Sequence, residues 1–365
     1  THMSCRRQRQ MCIRDRHGTS YARRAVDAAS DLPAAHFISG RFAHESGSYE
    51  SAIEHFRKTI TLDPLHLEAY MLLADTYELT ERPEEASATV ERAIRTGPDD
   101  WTTYHDIGVF YFGRHDWERA AEYFQKVVDL NPNSSIGYTT LGGVLFYLDD
   151  RVGARQNLER AVEIGSGYDA FNNLATLEFY EGRFGRAAEL YERALEMDDS
   201  DYIVWSNLGE ACAQADLGDP ECSRNAYLRA ATLVTEELET APDDIDLTIS
   251  LASLRVNLGE NDEAHRLAEH AATLEVVDPD SMITLADIFE KLGERGSALL
   301  WIQRSLEAGY PLQLIEDYAG FDELRADPRF SEMTAPGSAR EAEDSASAEK
   351  GDKGRRIGLN FWTPE

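Results

Sequence analysis

Basic residues are scarce in this chain. Lys and Arg number 36 against 67 Asp and Glu, a formal charge of −31 over 365 residues. Phosphate binding needs a basic surface, so nucleic acid is excluded as the expected partner. A protein or peptide of basic character fits better, although an acidic surface also serves solubility alone. Long apolar runs are missing as well. LGGVLFYL at Leu141–Leu148 is among the longest, and a membrane helix needs about 18 residues or more. No membrane span is expected, the start lacks the apolar stretch of a secretion signal, and a cytoplasmic setting follows.

Cysteine is rare: Cys5, Cys12, Cys212 and Cys222 are the four. That is too few for a disulfide framework in a chain of this length. Cys212 falls at a core position of a helix and Cys222 near a loop ten residues on, a spacing that matches no metal motif. Reduced, structural thiols are the expectation. Catalytic signatures are missing too. There is no phosphate loop, dinucleotide fingerprint, H-E-x-x-H or nucleophile elbow. His265 and His270 stand at i, i+5, which does not face them at one metal. No enzyme, cofactor or metal is expected, and the many carboxylates read as solvated helix faces.

What the chain does have is a pattern. In WTTYHDIGVFYFGRHDWERAAEYFQKVVDLNPNS, Trp101 to Ser134, Tyr104, Ile107, Gly108 and Tyr111 follow i, i+3, i+4, i+7. They share one face of a first helix. Ala120, Phe124 and Val127 share a face of a second, and Arg114-His115-Asp116 leaves room for a turn between them. Gly108 and Ala120 are small where the two helices must approach. Asn131-Pro132 ends the second helix. One hairpin cannot bury its own apolar face, so its stability depends on neighbours.

These anchors resemble the tetratricopeptide pattern, whose period is about 34 residues. They recur from near Pro33, Leu67, Trp101, Ser135, Tyr168, Tyr202, Ile245 and Pro279. The first-helix small residue is Gly40, Ala74, Gly108, Gly142, Ala175, Gly209, Ala252 and Ala286 in turn. The second-helix one is Ala52, Ala86, Ala120, Ala154, Ala187, Ser223, Ala264 and Ala298. The fold class is therefore all-α, an α-solenoid of about eight tetratricopeptide helical hairpins with a C-terminal capping helix.

The expected organisation runs as follows. Residues 1–20 are a non-native or disordered basic tail, and 21–32 are the second helix of a truncated repeat. The solenoid covers 33–311, a cap covers 312–333, and a disordered tail covers 334–365 with the apolar ending IGLNFWTPE. The sixth repeat is irregular: ADLGDPECS lengthens its turn, and its second helix exceeds the standard unit.

The functional surface of such an architecture is its concave face, lined mainly by first helices. Its candidate acidic members include Glu68, Asp75, Glu78, Asp106, Asp169, Glu210, Asp246, Asp280, Asp287 and Glu290, against the basic Arg41 and Lys291. Mid-groove, Asn172, Asn173 and Asn207 are expected beside Phe112, Phe146, Tyr147, Phe179 and Tyr180. Asn amides pair both backbone groups of an extended peptide, and aromatics add apolar pockets. The asparagines resemble the ladder of peptide-binding tetratricopeptide superhelices, which implies that Asn173 and Asn207 open onto a shared channel and face solvent in the free protein.

The expected function is a non-catalytic interaction scaffold that binds a partner segment along the concave face. The alternative comes from the ending EAGYPLQLIEDYAGFDELRADPRF, which resembles the end of tetratricopeptide regions in bacterial signalling proteins. It implies the regulatory region of a larger Ser/Thr kinase or nucleotide cyclase, whose catalytic domain is missing here.

Overall fold

The computed structural model describes residues 31–96, 101–165, 167–215, 220–274, 276, 278–316 and 318–334. The basic start, the truncated repeat up to residue 30, and the tail beyond residue 334 lie outside the described residues. Every regular element among the described residues is helical. One unit, ending at Pro132, pairs α1 (Pro33–Glu45) with α2 (Tyr49–Leu62), α3 (Leu67–Leu79) with α4 (Pro83–Thr96), and α5 (Trp101–Phe112) with α6 (Trp117–Leu130). The second, from Asn133, pairs α7 (Ser135–Tyr147) with α8 (Arg151–Ile164), and α9 (Tyr168–Tyr180) with α10 (Phe184–Leu195). It continues with α11 (Tyr202–Gln214) on α12 (Pro220–Thr240), α13 (Ile245–Asn257) on α14 (Asn261–Ala272), and α15 (Pro279–Lys291) on α16 (Arg295–Glu307).

One local device turns most of these hairpins. The chain leaves the first helix through a residue with positive φ: Gly47, Glu81 and His115 in the first unit; Asp149, Gly182, Gly259 and Gly293 in the second. The next backbone N–H then donates to the carbonyl five residues back, as in Ser48 to Ala43, Asp116 to Tyr111 and Glu294 to Phe289. This is the Schellman closure, which satisfies carbonyls that the helix end would orphan. Side-chain caps open several helices. Asp116, Ser134, Asp150, Asp201, Asp244 and Asp278 each accept from a backbone N–H in the first turn.

The small-residue registers are where the paired helices meet. A Cβ on Gly108 would lie 2.5 Å from the Phe124 ring, and one on Gly209 would lie 2.6 Å from the Tyr227 ring. The opposing ring stands four residues after the small residue of the second helix, Ala120 or Ser223. Phe124 and Ala120 are fully buried, and burying a phenylalanine side chain contributes about 1.5–3 kcal/mol. Tyr191, four residues after Ala187, stands at the equivalent position, and Tyr70, Ile107, Ile283 and Leu285 are fully buried as well.

Two regions depart from the regular unit. Helix α12 has 21 residues where α8, α10, α14 and α16 have 12 to 14. The cap is not one continuous helix. It consists of α17 (Leu312–Glu316), a 3-10 turn (Ala319–Phe321), α18 (Asp322–Arg325) and α19 (Pro328–Thr334). Asp327-Pro328 interrupts it, because proline pushes the preceding residue away from helical geometry. Ile315, Phe321, Leu324 and Phe330 are buried in the same apolar cluster as α15 and α16, so these pieces do cover the last hairpin. Gly320 sits in close approach: a Cβ there would lie 2.7 Å from the Tyr318 ring and 2.8 Å from Asp287 Oδ1.

Candidate functional site

In each unit most successive first helices touch one another, whereas successive second helices make little or no contact. The face lined by first helices is therefore the inner one locally. In the second unit its most distinctive feature is aromatic. Phe146, in the last turn of α7, meets Tyr180, in the last turn of α9, with ring centroids 5.3 Å apart. Tyr147 stands edge-on to Phe146 at 5.9 Å, and Phe179 edge-on to Tyr180 at 6.2 Å and to Phe184 at 5.0 Å. Phe146 is buried, whereas Tyr147, Phe179 and Tyr180 are half-buried and keep ring surface open. The Arg151 guanidinium lies 4.2 Å from the centre of the Phe146 ring.

A charge network supports this strip. Arg155 of α8 pairs with Glu178 and Glu181, and Arg183 pairs with the same two carboxylates. The Glu178 side chain is only 6% exposed. Sequence reading placed carboxylates on solvated faces, and Glu178 corrects it. The last turn of α9 packs against α8, and two guanidiniums replace the lost hydration. Arg155 and Arg183 were not anticipated, since their meeting depends on contacts between hairpins.

The asparagines behave differently from expectation. Asn172 is 4%, Asn173 0% and Asn207 2% exposed, so none faces solvent. Asn207 meets the hydroxyl of Tyr191, which lies on the preceding second helix α10. Asn172 Oδ1 is buried without a hydrogen-bond partner among the described residues. The Tyr191 hydroxyl sits 2.9 Å from the Thr176 hydroxyl and beside the Asn207 amide, and burial raises its pKa. These groups form a polar seam inside the stack.

The proposed acidic lining is partly neutralised from within. In the first unit Asp75 pairs with Arg114 and, at 3.0 Å, with His44 Nε2. Arg114 also lies 3.6 Å from the centre of the Phe110 ring, and burial lowers its pKa. Asp106 is exposed at 3.5 Å from His105 Nδ1, while Phe112 is buried edge-on to Trp117 at 4.9 Å. In the second unit Asp287 pairs with Lys291 at 2.8 Å and Glu290 with Arg295. Burial, with the neighbouring Asp287 carboxylate, pushes the Tyr318 phenol well up. Glu210 accepts a hydrogen bond from the Tyr227 hydroxyl at 2.8 Å. Asp169 of α9 is half-buried and, among the described residues, has no cation beside it; desolvation raises its carboxyl pKa.

The thiols also differ from expectation: Cys212 and Cys222 are joined as a disulfide, with Cα atoms 5.9 Å apart. Their ten-residue spacing hid this, because the pairing follows from α11 and α12 lying antiparallel. Among the described residues no group of three potential metal ligands converges, and no helix is long and apolar enough to cross a membrane.

Helical hairpins stacked in this way define an α-solenoid. Family models of the tetratricopeptide repeat match residues 43–107, residues 19–65 and 172–244, and residues 102–131. Together they reach just over half of the chain, which belongs to the tetratricopeptide repeat proteins. Among curated proteins it is 23% identical to Superkiller protein 3 of Schizosaccharomyces pombe, over 58% of this chain and 15% of that protein. It is 24% identical to Anaphase-promoting complex subunit 7 of Arabidopsis thaliana, over 58% of this chain and 37% of that one. The chain thus spans well under half the length of these relatives. Among solved structures, a chain of an APC/C hetero-tetramer shares 14% identity, covering 85% of this chain and 58% of its own, with a TM-score of 0.49.

Proposed function

We propose that the chain is a non-catalytic interaction scaffold whose second unit receives a partner segment along the inner face of α7, α9 and α11. The observation that carries this is the aromatic strip. Tyr147, Phe179 and Tyr180 keep ring surface open at the ends of successive first helices, and the Arg155–Glu178–Arg183 network holds that turn of α9 in place. Half-open aromatics beside charged groups are the composition of binding hot spots. The buried asparagines belong to the interior of the stack, and the rings make the contact.

A basic segment is favoured. Asp169 is a partly desolvated carboxylate with no cation beside it among the described residues, and a Lys or Arg of the partner would supply one. The overall charge of −31 would speed the encounter. The reading of this region as the regulatory part of a larger bacterial signalling protein rests on the resemblance of its ending alone.

The test is the affinity of a captured partner for the full chain and for the Tyr147→Ala, Tyr180→Ala double variant. Each lost aromatic anchor in a hot spot costs about 1–2 kcal/mol, so binding should weaken by roughly ten-fold or more. Unchanged affinity, with an unchanged melting curve, would move the binding surface elsewhere.

A further inference from the structure

We propose that Cys212 and Cys222 are a reversible thiol–disulfide pair that tethers the turn end of the α11–α12 hairpin. Cys212 lies in the last turns of α11 and Cys222 in the first turn of α12, and the Cα separation of 5.9 Å falls in the range that a disulfide spans without backbone movement. The bond closes the chain over its longest hairpin turn.

The two thiols are unequal. Cys212 is 5% exposed, packed in the apolar cluster of α7 to α12, whereas Cys222 is half-buried. Cys222 also stands at the N-terminus of a 21-residue helix, where the aligned peptide dipoles favour a thiolate. It is the attacking sulfur. Its thiolate breaks the S–S bond of a low-molecular-weight disulfide such as oxidised glutathione, forming a mixed disulfide and releasing one glutathione thiolate. Cys212 then gives up its proton to that thiolate and attacks the Cys222 sulfur, and the second glutathione leaves. Two protein thiols are oxidised to one disulfide, and one glutathione disulfide is reduced to two thiols.

The effect is local, because the next turn inward is already locked. Gly209 lets the Tyr227 ring lie against α11, and the Tyr227 hydroxyl donates to Glu210 at 2.8 Å. Reduction frees the helix ends around Cys212 and Cys222 while Tyr227 and Val234, both buried, stay packed. The thiol pair therefore sets the stiffness of the segment just beyond Glu210, one of the acidic groups of the inner face.

The test uses the full chain, incubated with oxidised or reduced glutathione, trapped with N-ethylmaleimide and read by peptide mass and hydrogen exchange. Oxidised protein should yield a peptide linking Cys212 to Cys222. Exchange at residues 211–215 and 222–224 should slow by about ten-fold or more, with residues 226–234 unchanged. The Cys212→Ser variant should accumulate glutathione on Cys222 at least about ten-fold faster than Cys222→Ser does on Cys212. The wild-type comparison needs neither variant to fold. Two alkylated thiols in the oxidised folded chain, a linked peptide with unaltered exchange, or equal rates in the two variants would each overturn the proposal.

Discussion

The Glu178 carboxylate lies 6% exposed between two hairpins and is held by the guanidinium of Arg155, which reaches it from α8. Arg183 holds the same carboxylate from the other side. Removing one partner of a buried pair leaves an uncompensated charge, at a cost of about 3–5 kcal/mol where the pair is fully enclosed. Arg155 is 25% exposed and Arg183 remains, so Arg155→Met should cost less, about 1–3 kcal/mol. Urea unfolding of the variant should show the loss. An unshifted midpoint would mean that Arg183 alone suffices.

Glycines in two settings should respond with opposite signs. Gly108→Ala drives a methyl into the Phe124 ring, since the new Cβ would lie 2.5 Å from it, and overpacking of this kind costs about 1–3 kcal/mol. Gly296 lies within α16 with nothing within 4 Å of a Cβ there. Gly296→Ala should stabilise by about 0.5–1 kcal/mol through helix propensity. Thermal unfolding of the two variants decides; a shift of the same sign in both would remove the packing argument.

The left-handed turn residues offer another stabilising change. Glu81 has φ 57° in the α3–α4 turn, where four other hairpins place Gly47, Gly182, Gly259 and Gly293. A residue with a Cβ pays about 1–2 kcal/mol there, so Glu81→Gly should recover roughly 1 kcal/mol despite its looser unfolded chain. Gly182→Ala, at φ 76°, should lose a similar amount. Melting temperatures that move together would contradict this account of the turns.

Asn207→Ala should destabilise rather than act only on binding. The amide is 2% exposed beside the buried Tyr191 hydroxyl, and loss of that neighbour costs about 1–3 kcal/mol. Equilibrium unfolding tests it; wild-type stability with weakened partner binding would restore the asparagine to the contact surface.

Alkaline pH should loosen the first unit. Burial first, then the neighbouring Tyr111 and Glu122, push the Tyr123 phenol up to about 12. The folded chain prefers the neutral phenol, whose unfolded pKa is about 10. This contribution is complete below about pH 10 and is lost as pH climbs through 12. Phenolate absorbance of the native protein should therefore lag that of urea-unfolded protein, and Tyr123→Phe should remove one late-titrating group. Coincident titrations would refute the shift.

The hairpins were legible because size is written in the sequence. Gly40, Gly108, Gly142 and Gly209 each meet a large side chain four residues beyond the second-helix small residue. The turns were only half legible, since Glu81, His115 and Asp149 take a conformation that their side chains do not advertise. The site was less so. Helical period shows which face Asn173 occupies, but not that a neighbouring helix closes over it. The Arg155–Glu178 pair and the Cys212–Cys222 bond depend on distances between elements, which no spacing within one helix encodes.

Helices built in this way also spend their own backbone. Each N–H and C=O inside α7, α9 and α11 is committed to its helix, and Schellman turns bind carbonyls left at the ends of α7 and α9. The described residues offer no strand edge for a partner to extend. If a partner binds this face as proposed, its affinity must come from side-chain tips. On that proposal, exchanging Tyr147, Phe179 or Tyr180 should alter specificity while the buried seams that hold the stack are left untouched.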